Sequence, residues 1–131
     1  MAEYRLPLSI YYEDTDFSGL VYHANYLKYF ERGREHLLGR EQLVTLWRTT
    51  GIGFVVYRAE LQFKEGAQFG DELEIVTIPE IKSDFRVEFK QSIWRPGARA
   101  PMVDGLTTLV CVNRENQLVR LPDAVLALGR A

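Results

Sequence analysis

The sequence holds one cysteine, Cys111, set in an apolar run. No disulfide can close within the chain, which excludes a disulfide-stapled scaffold and leads us to expect a reducing compartment. No stretch approaches the ~18 apolar residues of a membrane span. The start, MAEYRLPLSIYYED, has no cationic segment ahead of a long apolar one, so neither membrane insertion nor export is expected and the cytoplasm is the expected location. A surplus of one charge is missing too. With 16 Lys and Arg against 18 Asp and Glu the net charge is −2, and no global field draws the chain to nucleic acid or anionic lipid. Repeats, low-complexity tracts and Pro/Ser linkers are absent. The 131 residues, 47% apolar and 12% aromatic, are read as one domain, 1–131, with a real core.

What is present is a change of hydrophobic period. Leu6, Leu8, Ile10 and Tyr12 alternate as on a half-buried strand. Tyr26, Phe30, Gly33 and Leu37 then step by four, three and four, predicting a helix that Asn25 caps and Gly39 can stop. Gly33 lies inside the apolar stripe, where it costs about 1 kcal/mol relative to Ala, so another element is expected to approach the helix backbone closely. Glu41 to Trp47 reads equally as a short helix or a loop.

From Gly53 onward the period is two, over 53–63, 72–81, 85–94 and 102–112, with turn chemistry between the runs and a last short strand at 118–121. Pro122 is placed to open a terminal helix. Short connections imply antiparallel neighbours. Several strands, the run from Ile52 to Leu61 above all, carry apolar residues on both faces, which implies a partner surface.

Between the first strand and the helix lies YYEDTDFSGLVYHANY, residues 11–26, with three carboxylates, a glycine and a histidine. Asp14, Asp16, Ser18 and Gly19 imitate the start of a calcium loop. The twelfth position, where a bidentate Glu is needed, is Asn25, and a strand precedes the loop instead of a helix. Glu13, Asp14, Asp16 and His23 also lack a second nitrogen ligand at helical spacing. No metal is expected. Two readings then stay open: a polar turn built by Asp14, Thr15 and Gly19, or a carboxylate facing the free N–H groups of a helix start, which is a minimal hydrolase.

The run from Tyr12 to Glu31, YEDTDFSGLVYHANYLKYFE, resembles the signature of small hotdog-fold acyl-CoA thioesterases of the 4-hydroxybenzoyl-CoA thioesterase-like superfamily, and is most similar to the Tol-Pal-associated branch. AELQFKEGAQFGDELEI and LPDAV are similar to that family's sheet and tail. The resemblance implies an α+β hotdog fold, one long central helix wrapped by a curved five- to six-stranded antiparallel sheet. It implies hydrolysis of acyl-CoA, with Asp16 as the catalytic carboxylate, Asp14 as a supporting turn residue, and backbone N–H groups at Tyr22, His23 and Ala24 polarising the thioester carbonyl. His23 would orient Asp16, donate to the carbonyl oxygen or protonate the sulfur; its presence departs from the aromatic-acyl branch. Coenzyme A arrives as part of the substrate, so no separate cofactor is expected, and Lys64, Lys82 and Ser83 are the candidates for its phosphates. Acyl carrier protein is a second candidate carrier. The assembly is expected to be a homodimer or homotetramer.

A thiolate leaves readily, so a carboxylate suffices without a Ser or Cys nucleophile, either by direct attack or as general base on water. Glu31 is the other carboxylate to weigh, and i,i+3 spacing pairs it with Arg34 instead. Tyr22, Tyr26 and Tyr29 read either as acyl-tunnel lining or as plain core. Two rivals keep the fold and change the chemistry. One is a dehydratase or isomerase using His and a helix Glu, the other a non-catalytic module that holds acyl-CoA or acyl carrier protein.

Overall fold

A computed structural model describes residues 2–130. Strand β1 (Tyr4–Ser9) leads through a 3-10 turn at Tyr12–Asp14 and a short hairpin into α1 (Asn25–Leu38) and α2 (Arg40–Thr50). Four long strands follow, β2 (Gly53–Phe63), β3 (Glu72–Ser83), β4 (Arg86–Trp94) and β5 (Val103–Val112), then a two-residue β6 (Leu118–Val119) and a short α3 (Asp123–Leu126). They form one six-stranded sheet in the order β1-β3-β4-β5-β2, with β6 on β5, and every pairing is antiparallel. The period-two runs of the sequence are these strands: β2 matches its run at both ends, and the other ends differ by at most three residues.

The helical region departs from the expectation of one long helix. Gly39, at φ 93° and ψ 118°, takes a backbone conformation that residues with a Cβ avoid. It therefore ends α1 after 14 residues and starts α2, of 11. Asn25 is not the N-cap either: Ala24 holds that position, and Asn25 is the first helical residue. Its side-chain amide donates back to the Asp14 carbonyl at 2.9 Å.

Helix α1 packs on β1, β3 and β4, with Tyr26, Tyr29, Phe30 and Gly33 turned inward and the Phe30 ring reaching Gly105 of β5. Tyr26 and Tyr29 are thus core residues, 3% and 1% exposed, while Tyr22 is 46% exposed. Two glycines allow the helix to sit this close. A Cβ on Gly33 would stand 2.9 Å from Thr77 Oγ1 and 3.0 Å from Gln91 Nε2, and one on Gly105 would stand 2.6 Å from the ring of Phe30. Phe30 is fully buried, so its ring has nowhere to retreat. Cys111 is buried in β5 and desolvation pushes its thiol up to about 12, which leaves it protonated and without a nucleophile's character at neutral pH.

Replacing Gly105 by Ala adds a methyl group against Phe30, and overpacking of this kind costs about 1–3 kcal/mol. The expected outcome is a urea midpoint below wild type for Gly105→Ala, with part of the loss recovered in Gly105→Ala/Phe30→Leu. A Gly105→Ala protein as stable as wild type would show that Phe30 does not press on this strand.

Candidate active site

The hairpin between β1 and α1 is built around Asp14. Its carboxylate accepts the Tyr11 N–H at 2.8 Å, and its carbonyl accepts the Tyr22 N–H at 2.9 Å and the Asn25 side-chain amide. One residue thereby ties the exit of β1, the far arm of the hairpin and the first turn of α1. The arms pair at Thr15 and Val21, and the Val21 N–H donates to the Ala67 carbonyl at 2.9 Å. Leu20 bridges to Gln68, so the 64–71 loop fixes the hairpin from outside. That loop is itself held by Arg95, paired with Glu65 at 2.8 Å and Asp71 at 3.2 Å.

Asp16 stands at the hairpin tip. Its backbone closes the turn, with its N–H donating to the Leu20 carbonyl and its carbonyl accepting the Gly19 N–H; Gly19 supplies the positive φ of 83° that the tip needs. The side chain is held by one oxygen only. Oδ1 accepts the Ser18 hydroxyl at 2.6 Å and the Ser18 N–H at 2.8 Å, and Oδ2 has no hydrogen-bond donor among the described residues. The Ser18 hydroxyl, then the Ser18 N–H, hold the carboxyl below the usual Asp range, the charge of His23 adds to the lowering, and burial opposes it. Asp16 is an exposed anion with one oxygen fixed and one open.

The chain then turns into α1. Tyr26 N–H donates to the His23 carbonyl at 3.3 Å and Leu27 N–H to the Ala24 carbonyl at 3.2 Å, while the N–H groups of His23 and Ala24 meet no acceptor among the described residues. Free donors at a helix start are the place for an incoming oxygen. The His23 ring stacks near Tyr22, centroids 4.6 Å apart, and lies edge-on to Phe63 at 6.3 Å. Tyr22 and His23 are in ring contact with each other, His23 lies against Phe63 at the end of β2, and exposed Asp16 is close enough to feel the His23 ring electrostatically.

The other sequence candidates are dispersed. Lys64 follows Phe63 and is paired with Asp104 at 2.6 Å. Lys82 and Ser83 lie at the opposite end of β3, about 35 Å of extended strand away from its start; Lys82 binds Glu80 at 3.1 Å and Ser83 Oγ accepts the Phe85 N–H. Sequence spacing does not single out Arg95 as a basic residue near the site, because its position depends on β4 ending beside the 64–71 loop. Glu31 makes no ion pair with Arg34: the guanidinium turns inward and donates to Gln91 Oε1 at 3.0 Å, which i,i+3 spacing on a helix does not reveal. No set of three or more His, Cys, Asp or Glu side chains disposed to share an ion occurs among the described residues.

Residues 11–128 match the thioesterase-like superfamily. An acyl-CoA thioesterase YbgC of Helicobacter pylori is 41% identical over 83 residues, covering 63% of this chain and 61% of that protein; the match thus spans less than two thirds of the relative. The YbgC acyl-CoA thioesterase of Haemophilus influenzae is 35% identical over 95 residues, 70% of this chain and 69% of its own. Among solved structures, a probable thioesterase from Bartonella henselae superposes with a TM-score of 0.84 at 32% identity, over 92% of this chain and 100% of its own. With the hairpin, the helix and the sheet order all accounted for, the chain belongs to the thioesterase-like superfamily and has its hotdog fold.

Proposed function

We propose that this protein hydrolyses acyl-CoA thioesters to the free acid and coenzyme A. The observation that carries the reading is the Asp16 carboxylate, anchored through Oδ1 by Ser18 with Oδ2 open, in the same hairpin-to-helix segment as the free N–H groups of His23 and Ala24. The relatives named YbgC support the choice of acyl-CoA as substrate. In this reading the thioester carbonyl oxygen takes hydrogen bonds from the His23 and Ala24 N–H groups, and Tyr22 positions that peptide run. Asp16 Oδ2 either removes a proton from a water that attacks the carbonyl, or attacks it directly to give a mixed anhydride that water then opens. The tetrahedral oxyanion collapses, the C–S bond breaks, and coenzyme A leaves as thiolate, with His23 in position to protonate the sulfur. Lys64 and Arg95 flank the face on which the phosphates would arrive.

The assembly in this reading is at least a dimer, joined along β2. That strand ends the sheet, its outer edge pairs with no strand among the described residues, and it carries Val55, Val56, Tyr57 and Phe63 at 44–63% exposure. An apolar open edge of this kind calls for a cover. Pairing β2 with its copy would bring the second protomer beside Phe63 and His23 and enclose the exposed site. Light scattering after gel filtration is expected to give at least twice the 15.1 kDa of one chain; an active monomer would overturn the assembly.

Asp16→Asn is expected to lower kcat by roughly 10²–10⁴, the range for loss of a general base, and by more if attack is covalent, with the fold and binding retained. The amide keeps the size and the Ser18 contacts, but neither attacks a carbonyl nor takes a proton from water. Asp14→Asn is expected to lose less rate and more stability. Asp16→Asn within about tenfold of wild type, with Glu31→Gln inactive, would move the catalytic role to the helix carboxylate.

The pH dependence has a definite sign. The Ser18 hydroxyl stabilises ionised Asp16, so the carboxyl is held below its ordinary value of about 3.9, and the active anion persists as the pH falls toward that range. Ser18→Ala removes the larger contribution, so the Asp16 carboxyl is expected to titrate at higher pH in the variant, followed by carboxyl-carbon NMR, and the acid limb of kcat/KM should move up with it. An unmoved or lowered titration would show that Ser18 does not set this carboxylate.

A further inference from the structure

A cavity of about 320 Å³ opens between α1, α2 and β2, away from the hairpin. Its walls are apolar, with Leu43, Leu46, Trp47 and Phe54 among them, and α1 contributes Glu31, Arg34 and Leu38. Leu27, Glu31, Arg34 and Leu38 fall on one helical stripe, so the cavity lies on the same side of α1 as a line leading back to the helix start.

Arg34 is the unusual wall residue. It is 6% exposed, and its Nη1 donates to Gln91 Oε1 at 3.0 Å. Gln91 is fixed in turn: its Nε2 donates to the Phe30 carbonyl at 2.8 Å and to Thr77 Oγ1 at 3.0 Å, so only the amide oxygen is left to face the guanidinium. A guanidinium has five N–H donors; no other side-chain hydrogen bond and no ion pair of Arg34 occurs among the described residues. Of the carboxylates on the wall, Glu35 is bound by Arg40, and Glu31 is exposed and makes no ion pair among the described residues. A buried cation without a counter-ion is costly, burial accordingly lowers the guanidinium's pKa while Glu31 raises it, and the missing complement is an anion.

We propose that this cavity receives the far end of an acyl group and that Arg34 reads a carboxylate there, giving the enzyme a preference for thioesters of dicarboxylic acids. The inference rests on the acyl-CoA reading of the hairpin. The helix rise puts Arg34 about 14 Å along α1 from Asn25, a distance that an extended chain of about ten carbons covers at ordinary single-bond lengths. The carboxylate accepts two parallel N–H donors from the fixed guanidinium, and the methylenes lie against the apolar walls.

The test uses thioether analogues that cannot be hydrolysed, S-(9-carboxynonyl)-CoA and S-decyl-CoA, titrated calorimetrically into the full chain. Wild type is expected to bind the carboxylated analogue at least tenfold more tightly. Arg34→Gln is expected to abolish or invert that preference while still binding S-decyl-CoA, and Glu31→Gln, which removes a repelling charge from an exposed position, to increase it. Should Arg34→Gln not fold, Glu31→Gln carries the test. Equal binding of the two analogues by wild type, an unchanged preference in folded Arg34→Gln, or a weaker one in Glu31→Gln would each overturn the proposal. Failure to bind either analogue by a protein that hydrolyses acyl-CoA would do so as well, and would leave the thioesterase reading standing. No binding together with no hydrolysis of any acyl-CoA would overturn both.

Discussion

The proposed site at one end of α1 and the cavity at the other both depend on how closely α1 can lie on the sheet. A helix and a sheet ordinarily keep side chains between them, but Gly33 faces Thr77, Gln91 and Ile75, and Gly105 faces the Phe30 ring, each with no room for one more carbon. Gly33 costs helix propensity, and the tight packing it allows offsets that loss. The seat fixes the axis of α1 at its middle, so its start is delivered to the hairpin and its far half to the cavity beside β2. Misplacing the helix by one methyl group would shift the free N–H groups at His23 and Ala24 relative to Asp16, a displacement on the scale that matters for catalytic geometry.

In the proposed reaction the two aspartates of the hairpin divide structure and chemistry between them. Asp14 is used in both its carbonyl and its carboxylate Oδ2, which hold Tyr11, Tyr22 and Asn25, and it is half-buried at the junction of three segments where Asp16 is exposed. Asp16 uses its backbone to close the turn and one side-chain oxygen to hold Ser18, which leaves the other oxygen oriented and unoccupied. Ser18 therefore acts twice, as an anchor and as the cause of a depressed pKa. A low pKa weakens a carboxylate as a base, yet keeps it ionised over the whole working range, and a thiolate leaving group asks less of the base than an alkoxide would.

The sheet is legible in the sequence because β4 alternates cleanly, β3 and β5 alternate over most of their length, and each break carries turn residues. Gly33 is legible too, as a glycine where the stripe demands a larger residue. The break at Gly39 is legible as well, as a glycine that can stop the helix, whereas the helical state of the segment after it is not, since 41–47 reads equally as helix or loop and folds as α2. The hairpin's turn is legible because Asp16, Ser18 and Gly19 close it locally, while the pairing of Val21 with Ala67 and of Leu20 with Gln68 joins it to a distant loop. Contacts that join distant segments are hidden, as with Arg95 on Glu65 and Asp71. Arg34 is the sharpest case, since spacing offers Glu31 three residues away whereas the partner is Gln91, 57 positions on.

That long-range contact explains how the core tolerates a guanidinium. Gln91 sits mid-strand on β4 with all of its amide engaged, one hydrogen on the Phe30 carbonyl of α1, one on Thr77 of β3, and its oxygen on Arg34. Apolar packing alone would let a helix rotate or slide on a sheet at modest cost. Two of these bonds reach α1 and the third anchors the amide to β3, so together they favour one rotation of α1, in which Gly33 meets the sheet and Arg34 lies between Gln91 and the cavity. A buried polar group that fixes registry is a recognised use of such residues, and here the registry it fixes is the one that sets the helix start against Asp16. The polar network that looks like a burden on the core is what relates the two ends of the helix to each other.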